Sequence, residues 1–208
     1  SYVVIAAKGY KKVKSAEIAK ISEDKKDLGQ IENINCDCIC VSGFWTPTIH
    51  LASQSGNKTK FNKEIDAFIP SQSKQEETTV GSANGVFTLE ETLKTSFKAG
   101  HDLSKKITNN DNKVPVPQVK EKKSTHHDKF WCVPLPKGKK YKRFLDFQND
   151  VAVSDIELAL REGYRSIEHV KRYTTLGMAT DQGKTSNLNG LQLVSNVENK
   201  IVPAVGHT

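Results

Sequence analysis

Several groups of residues in this 208-residue chain could carry chemistry, and their spacing decides which chemistry that would be. Cys36, Cys38 and Cys40 alternate in CDCICVSG, with Cys132 far downstream. Thiolates can hold a soft metal, but zinc sites space their ligands as C-x₂₋₄-C and close the tetrahedron with a second pair. No second pair exists here. Alternate residues of a strand share a face, and Ile39 and Val41 fill the other one. The run therefore reads as a core strand, Cys36–Ser42, covered on both faces. His126, His127 and Asp128 could also ligate a metal, but they stand in a charged linker with no further ligand nearby. The expected metal set is empty, and no base or nucleophile stands out as catalytic.

Three stretches suit an anionic or nucleotide ligand instead. In open α/β sheets ligands bind beyond the carboxyl ends of strands, which marks Ser42, Gly43, Phe44 and Trp45. A packed Trp in a turn stiffened by Pro47 is the competing reading. Gly81, Ala83 and Asn84 lie in VGSANG just before a helix, where backbone N–H groups favour an anion. Lys184, Thr185 and Ser186 follow Gly183 at another expected helix start, Thr185–Val197, with one cation and two hydroxyls for a phosphate. A loop held by its own side-chain hydrogen bonds is the alternative there.

The elements that must position these residues follow from periodicity and caps. Val13–Ile21 alternates as a strand, and a charged turn, Glu23–Gly29, follows it. Lys60–Phe68 carries apolar Phe61, Ile65 and Phe68. Thr88 with Glu91 forms a capping box for a helix striped by Leu89, Leu93 and Phe97, with Gly100 as its expected stop. Ser154 with Glu157 forms a second box, Gly163 ends that helix, and Ser166 starts SIEHVKRY. Gly177 and Gly183 bracket the last turn.

Composition narrows the partners. The net charge of +7 lies entirely within Lys120–Arg143, which holds nine basic and two acidic residues. Such a patch could bind phosphates, yet no nucleic-acid-binding signature accompanies it. It reads as an inter-domain arm, and neither nucleic acid nor membrane is expected as a partner. Hydrophobic residues make up 36% and mean hydropathy is −0.54, so a sizeable solvated fraction is expected. No apolar run approaches the roughly 20 residues that span a bilayer, and SYVVIAAKGYKK is a poor signal peptide. A cytoplasmic location is expected.

The stretch Phe144–Gly190, with TTLGMATDQGKTSN at its heart, resembles a bacterioferritin-associated-ferredoxin-like module. Modules of that kind hold a [2Fe–2S] cluster on four cysteines. The corresponding positions here are Asp146, Gln148, Asp181 and Ser186, and such clusters need thiolates, so no iron–sulfur cluster is expected. In this cluster-less form the chain resembles the alpha-subunit family of heterotetrameric sarcosine oxidase. CDCICVSGFWTPTIHLASQSG and VGSANGVFTLEETLKTSFKAG are similar to the closing part of that family's dinucleotide-binding domain. No GxGxxG turn follows a strand anywhere in the 208 residues. Met178 is the sole methionine, so Ser1 reads as an internal position of a longer subunit. The tail IVPAVGHT would lead into a folate-binding domain.

The resemblance implies an α/β fold: part of a reductase-like dinucleotide-binding domain, plus a small, mostly helical module. It implies four segments: 1–108, a basic linker 109–143, the module 144–197 and a tail 198–208. It also implies a role in oxidative demethylation of sarcosine with O₂ and tetrahydrofolate, giving glycine, hydrogen peroxide and methylene-tetrahydrofolate. The implied cofactors are NAD in the alpha subunit and FMN between alpha and beta, and the implied partners are the beta, gamma and delta subunits. Alpha subunits of related amino-acid or opine dehydrogenase complexes commonly keep the cluster cysteines, which sets this chain apart from them. A free-standing interaction module with a basic arm is the non-enzymatic alternative.

Overall fold

The computed structural model describes residues 1–41, 43, 45–109, 111, 114–119 and 130–206. They form two compact units, Ser1–Ser42 with Asp128–Thr208, and Gly43–His127. The fold mixes helix and sheet, and every strand pair is antiparallel. The N-terminal 42 residues thus share a unit with the C-terminal segment.

In the first unit, β1 (Tyr2–Gly9), β2 (Val13–Ile21) and β3 (Leu28–Asn35) make a meander in the order β1-β2-β3. Gly9 has φ +147°, and a Cβ there would overlap the Lys12 carbonyl, so the β1–β2 turn depends on glycine. The β2–β3 turn is closed by Ser22, which donates to Asp24 Oδ1 at 2.5 Å and accepts from the Asp27 amide at 3.0 Å.

Of the strand expected at Cys36–Ser42, the described residues 36–41 form none. The polar run LGQIENIN takes the place beside β2 instead, because it follows the charged turn directly. The last bond into the sheet is Cys36 N to Lys14 O at 3.1 Å. Cys36 is half-buried, while Cys38 and Cys40 are exposed. The expected buried thiols are therefore corrected: β2 already pairs on both edges, and no described strand pairs with the cysteine run. β3 shows why the sequence misled. An edge strand needs only backbone partners and tolerates polar side chains on its open face.

The C-terminal part of this unit holds β6 (Phe144–Asp146), β7 (Val151–Ala152), α3 (Val153–Arg161), α4 (Ile167–Thr174), α5 (Asn187–Glu198) and α6 (Val202–Val205). Its core is Leu145, Val151, Ile156, Ala159, Ile167, Val170, Leu176, Leu191, Val194, Val202 and Val205, all buried. Burial of such side chains contributes roughly 1.5–3 kcal/mol each. The cap of α3 is not Ser154. The cap position is Ala152, two residues earlier, and the Asp155 carboxylate accepts from the Ala152 amide at 2.8 Å. Ser166 precedes α4 as expected, and its carbonyl accepts from the amides of His169 and Val170. The last long helix starts at Asn187, two residues later than the sequence suggests.

The second unit contains α1 (His50–Gln54), the hairpin β4 (Thr59–Asn62) and β5 (Ala67–Pro70), a 3-10 turn Gly81–Asn84, and α2 (Leu89–Thr108). Phe61 and Phe68 face each other across the hairpin, ring centroids 5.3 Å apart. Thr88 caps α2 by accepting from the Glu91 amide at 3.4 Å. Gly100 does not stop the helix, which runs on to Thr108 and ends at Asn109 with φ +52°. An interior glycine costs only about 1 kcal/mol, too little to end a long helix whose acidic first turn and basic last turn suit its dipole.

Candidate functional site

The site lies where two loops of the first unit meet, residues 146–149 after β6 and 175–186 between α4 and α5. Asp146 is 3% exposed and accepts three backbone hydrogen bonds. Its Oδ1 takes those of Gln148 (2.9 Å) and Asn149 (3.1 Å), and its Oδ2 takes that of Gly177 (2.9 Å). Gln148 Oε1 makes the second cross-link, accepting from the amide (3.1 Å) and hydroxyl (2.5 Å) of Thr180. Asn149 Nδ2 adds a third by donating to Thr175 O at 2.8 Å. Two of the four positions where the resembled module would carry thiolates thus join the loops by hydrogen bonds.

The other two positions act locally. Asp181 Oδ1 accepts from the Gly183 amide (3.0 Å), and Oδ2 accepts from the amide (3.1 Å) and hydroxyl (2.6 Å) of Thr185. The Thr185 hydroxyl, then the amides of Thr185 and Gly183, hold this carboxyl below its ordinary range. Ser186 is fully buried, and its Oγ has no hydrogen-bond partner. Asn187 Oδ1 is likewise buried and unpartnered. A carboxylate of the chain itself therefore engages the donors of this turn that sequence reasoning offered to a phosphate. Lys184 is exposed on the same turn.

The remaining candidates are spread over the chain. Gly43 and Trp45 are exposed in irregular backbone; Ser42 and Phe44, with His126, His127 and Asp128, lie outside the described residues. Gly81 is buried at φ +64°, and a Cβ there would come 3.1 Å from the Thr92 methyl. Its glycine is explained by close packing on α2. Ala83 is half-buried and Asn84 exposed in the same four-residue turn. Sequence reasoning missed Gly177 as a hydrogen-bond donor, Leu176 as a core residue and Asn187 as the side chain between the two loop glycines. The available signal was the pair of glycines, Gly177 and Gly183, that bracket the turn; both have positive φ.

No group of three or more His, Cys, Asp or Glu able to hold a metal occurs among the described residues. We expect elemental analysis of the purified chain to give no stoichiometric iron or zinc; one equivalent of either would overturn this account of the loops.

Acid should loosen this unit. Asp181 is depressed as above, Glu198 is held down by Arg165 and then Lys200, and Glu17 by the Tyr141 hydroxyl. A carboxyl depressed in the folded state stabilises above its unfolded pKa, and the gain disappears as pH falls through the folded one. Thermal stability is thus expected to be level near neutrality and to fall below about pH 4. Asp181→Asn should make that fall shallower; identical pH profiles for variant and parent would count against it.

A family described as "Sarcosine oxidase A3 domain" matches residues 140–208, the segment that holds both loops. The sarcosine oxidase subunit alpha of Rhizobium meliloti (strain 1021) is 34% identical over 207 residues, 99% of this chain. The subunit alpha of Corynebacterium sp. (strain P-1) is 30% identical over 189 residues, 86% of this chain. By sequence, this chain is a homologue of part of the sarcosine oxidase alpha subunit. It spans about a fifth of the length of the curated relatives it matches, 20% and 19% respectively. Among solved structures it is similar to L-proline dehydrogenase from P. horikoshii, with a TM-score of 0.62 and 18% identity. That match covers 99% of this chain and 41% of the other. It supports a mixed helix-and-sheet fold. No helix among the described residues is long and apolar enough to cross a membrane.

Proposed function

We propose that this chain serves as part of the alpha subunit of a sarcosine oxidase, in binding and assembly. The observation that carries the proposal is the 34% identity to the Rhizobium meliloti alpha subunit across 99% of the chain. The loop pair fits a role in assembly, since its polar side chains are spent on one another and on backbone amides. We read 144–197 as a ferredoxin-like module that has exchanged its cluster for hydrogen bonds, and 1–108, although its first 42 residues belong to the compact unit of that module, as the closing part of a dinucleotide-binding domain.

On this reading the assembled, cytoplasmic enzyme oxidatively demethylates sarcosine, with O₂ and tetrahydrofolate as co-substrates. Beta, gamma and delta subunits are its partners, NAD belongs to the alpha subunit, and FMN lies between alpha and beta. Lys184 is the side chain of the 181–186 turn free to face an anion at such an interface, because Thr185 is engaged by Asp181 and Ser186 is buried. The test measures sarcosine-dependent O₂ uptake by the full subunit assembled with its partners and by the 208-residue chain alone. Uptake by the assembly only is expected. Turnover by the chain alone, or an assembly inert to sarcosine, would overturn the assignment.

A further inference from the structure

The part of the basic segment nearest the helical module is held in place. Residues 130–145 include Lys137, Lys139, Lys140, Lys142 and Arg143 and no acidic residue. Tyr141 donates its hydroxyl proton to Glu17 Oε2 at 2.7 Å and accepts from Lys8 Nζ at 3.3 Å. The Lys8 ammonium lies 4.8 Å from the Tyr141 ring centroid and 3.3 Å from Glu17 Oε1. Two residues on, Arg143 Nη1 donates to Val133 O at 3.2 Å and approaches Cys132 Sγ at 3.1 Å. Its Nη2 stands 3.6 Å from Glu157, and its carbonyl accepts from the Val153 amide at 2.8 Å. Leu145 is buried.

The odd-numbered side chains are therefore the anchors, and the even-numbered ones, Lys140, Lys142 and Phe144, are exposed. In extended chain, residues two apart share a face and lie roughly 6–7 Å from each other. Phe147, 81% exposed, continues the strip with its ring 5.8 Å from that of Phe144. Met178, 55% exposed, stands one residue beyond the Gly177 amide that Asp146 holds. A pre-ordered row of two ammonium groups thus leads into an exposed apolar tip.

We propose that this strip is a docking edge for a partner subunit presenting carboxylates beside an apolar pocket. Complementary charge would orient the encounter, and the Phe144–Phe147 tip would supply the desolvated centre that interfaces need. A single-stranded nucleic acid matches the lysines and can stack bases on phenyl rings, but no nucleic-acid-binding signature accompanies the strip, so an acidic protein face is the occupant proposed. The proposal rests on the subunit reading above.

The experiment uses the full subunit co-expressed with its partners, comparing the parent, K140E/K142E, and a K171E/R172E control on α4. Partner retention on affinity capture is read at low and at physiological salt. The expected result is at least tenfold weaker retention for K140E/K142E, little change for the control, and parental retention that weakens with salt. Both lysines are exposed, and the contact recorded for Lys142 is with the Phe144 ring of the strip itself, 5.8 Å from its centroid, so the urea midpoint should move little. If it moves more, K140Q/K142Q is read in its place and should lose an intermediate amount. A parent that retains partners and a variant that retains them equally would overturn the docking edge alone. A parent that assembles with nothing would overturn the subunit reading and the edge with it. Loss of co-purifying nucleic acid with partner retention unchanged would reassign the strip to polyanions and overturn the proposal.

Discussion

Replacing Asp146 with alanine is expected to unfold the loop pair at much lower urea concentration than the parent requires. The carboxylate is 3% exposed and satisfies three amides, those of Gln148, Asn149 and Gly177. Hydrogen bonds to a charged group are worth about 1.5–3 kcal/mol each, and a buried amide left without a partner carries its full desolvation cost. The three bonds share one side chain and will not add fully. A loss of about 3–5 kcal/mol is the reasonable expectation. Asp146→Asn separates charge from connectivity, because one amide oxygen can still serve Gln148 and Asn149 while the bond to Gly177 is lost. That variant should lose about 1–2 kcal/mol. Hydrogen exchange at the Gly177 amide gives the local readout, and its protection should drop in both variants. A shift under about 1 kcal/mol for Asp146→Ala, with Gly177 still protected, would show that the Gln148 and Asn149 cross-links and packing join the loops without Asp146.

How much of this was legible beforehand depends on where each residue's reason lies. The α2 cap at Thr88 could be read directly, because the hydroxyl and the amide that it serves are three residues apart. The glycines after α3 and in the last turn could be read too, as positions that need positive φ. The cysteine strand could not. Its alternation and apolar content meet every local criterion, but a strand exists only where its backbone finds a ladder, and after the bond from Cys36 N to Lys14 O no described strand pairs with it. The α3 cap failed for a related reason. Ser154-x-x-Glu157 has the right letters, while the carboxylate two residues before Glu157, Asp155, reaches back to Ala152. The loop pair was half legible. The sequence locates the turn and admits side-chain hydrogen bonds within it, but nothing in the linear order says that Asp146 bonds to Gly177, 31 residues away.

The second large effect is expected at Gly177 and Gly183, and Asn187 is the reason. Both glycines have positive φ, +66° and +74°, where a side chain is strained whatever the space. A Cβ on either would overlap the Asn187 carboxamide, and one on Gly177 would also lie 3.1 Å from Gly183 Cα. Gly177→Ala therefore combines a left-handed penalty of about 1–2 kcal/mol with overpacking of about 1–3 kcal/mol. Asn187 cannot swing aside freely, because its Oδ1 is buried, already without a partner, at the first residue of α5. A double-mutant cycle separates the two costs. Asn187→Ala removes the overlap and an unsatisfied oxygen together, so alone it should be close to neutral. In the Gly177→Ala background it should restore the overpacking part and leave the backbone part, a coupling of about 1–2 kcal/mol. Additivity in that cycle would mean that the glycines are required by backbone conformation alone. A coupling of the expected size would mean that the loops close around Asn187, with the hydrogen bonds of Asp146 and Gln148 holding the closure from the other side.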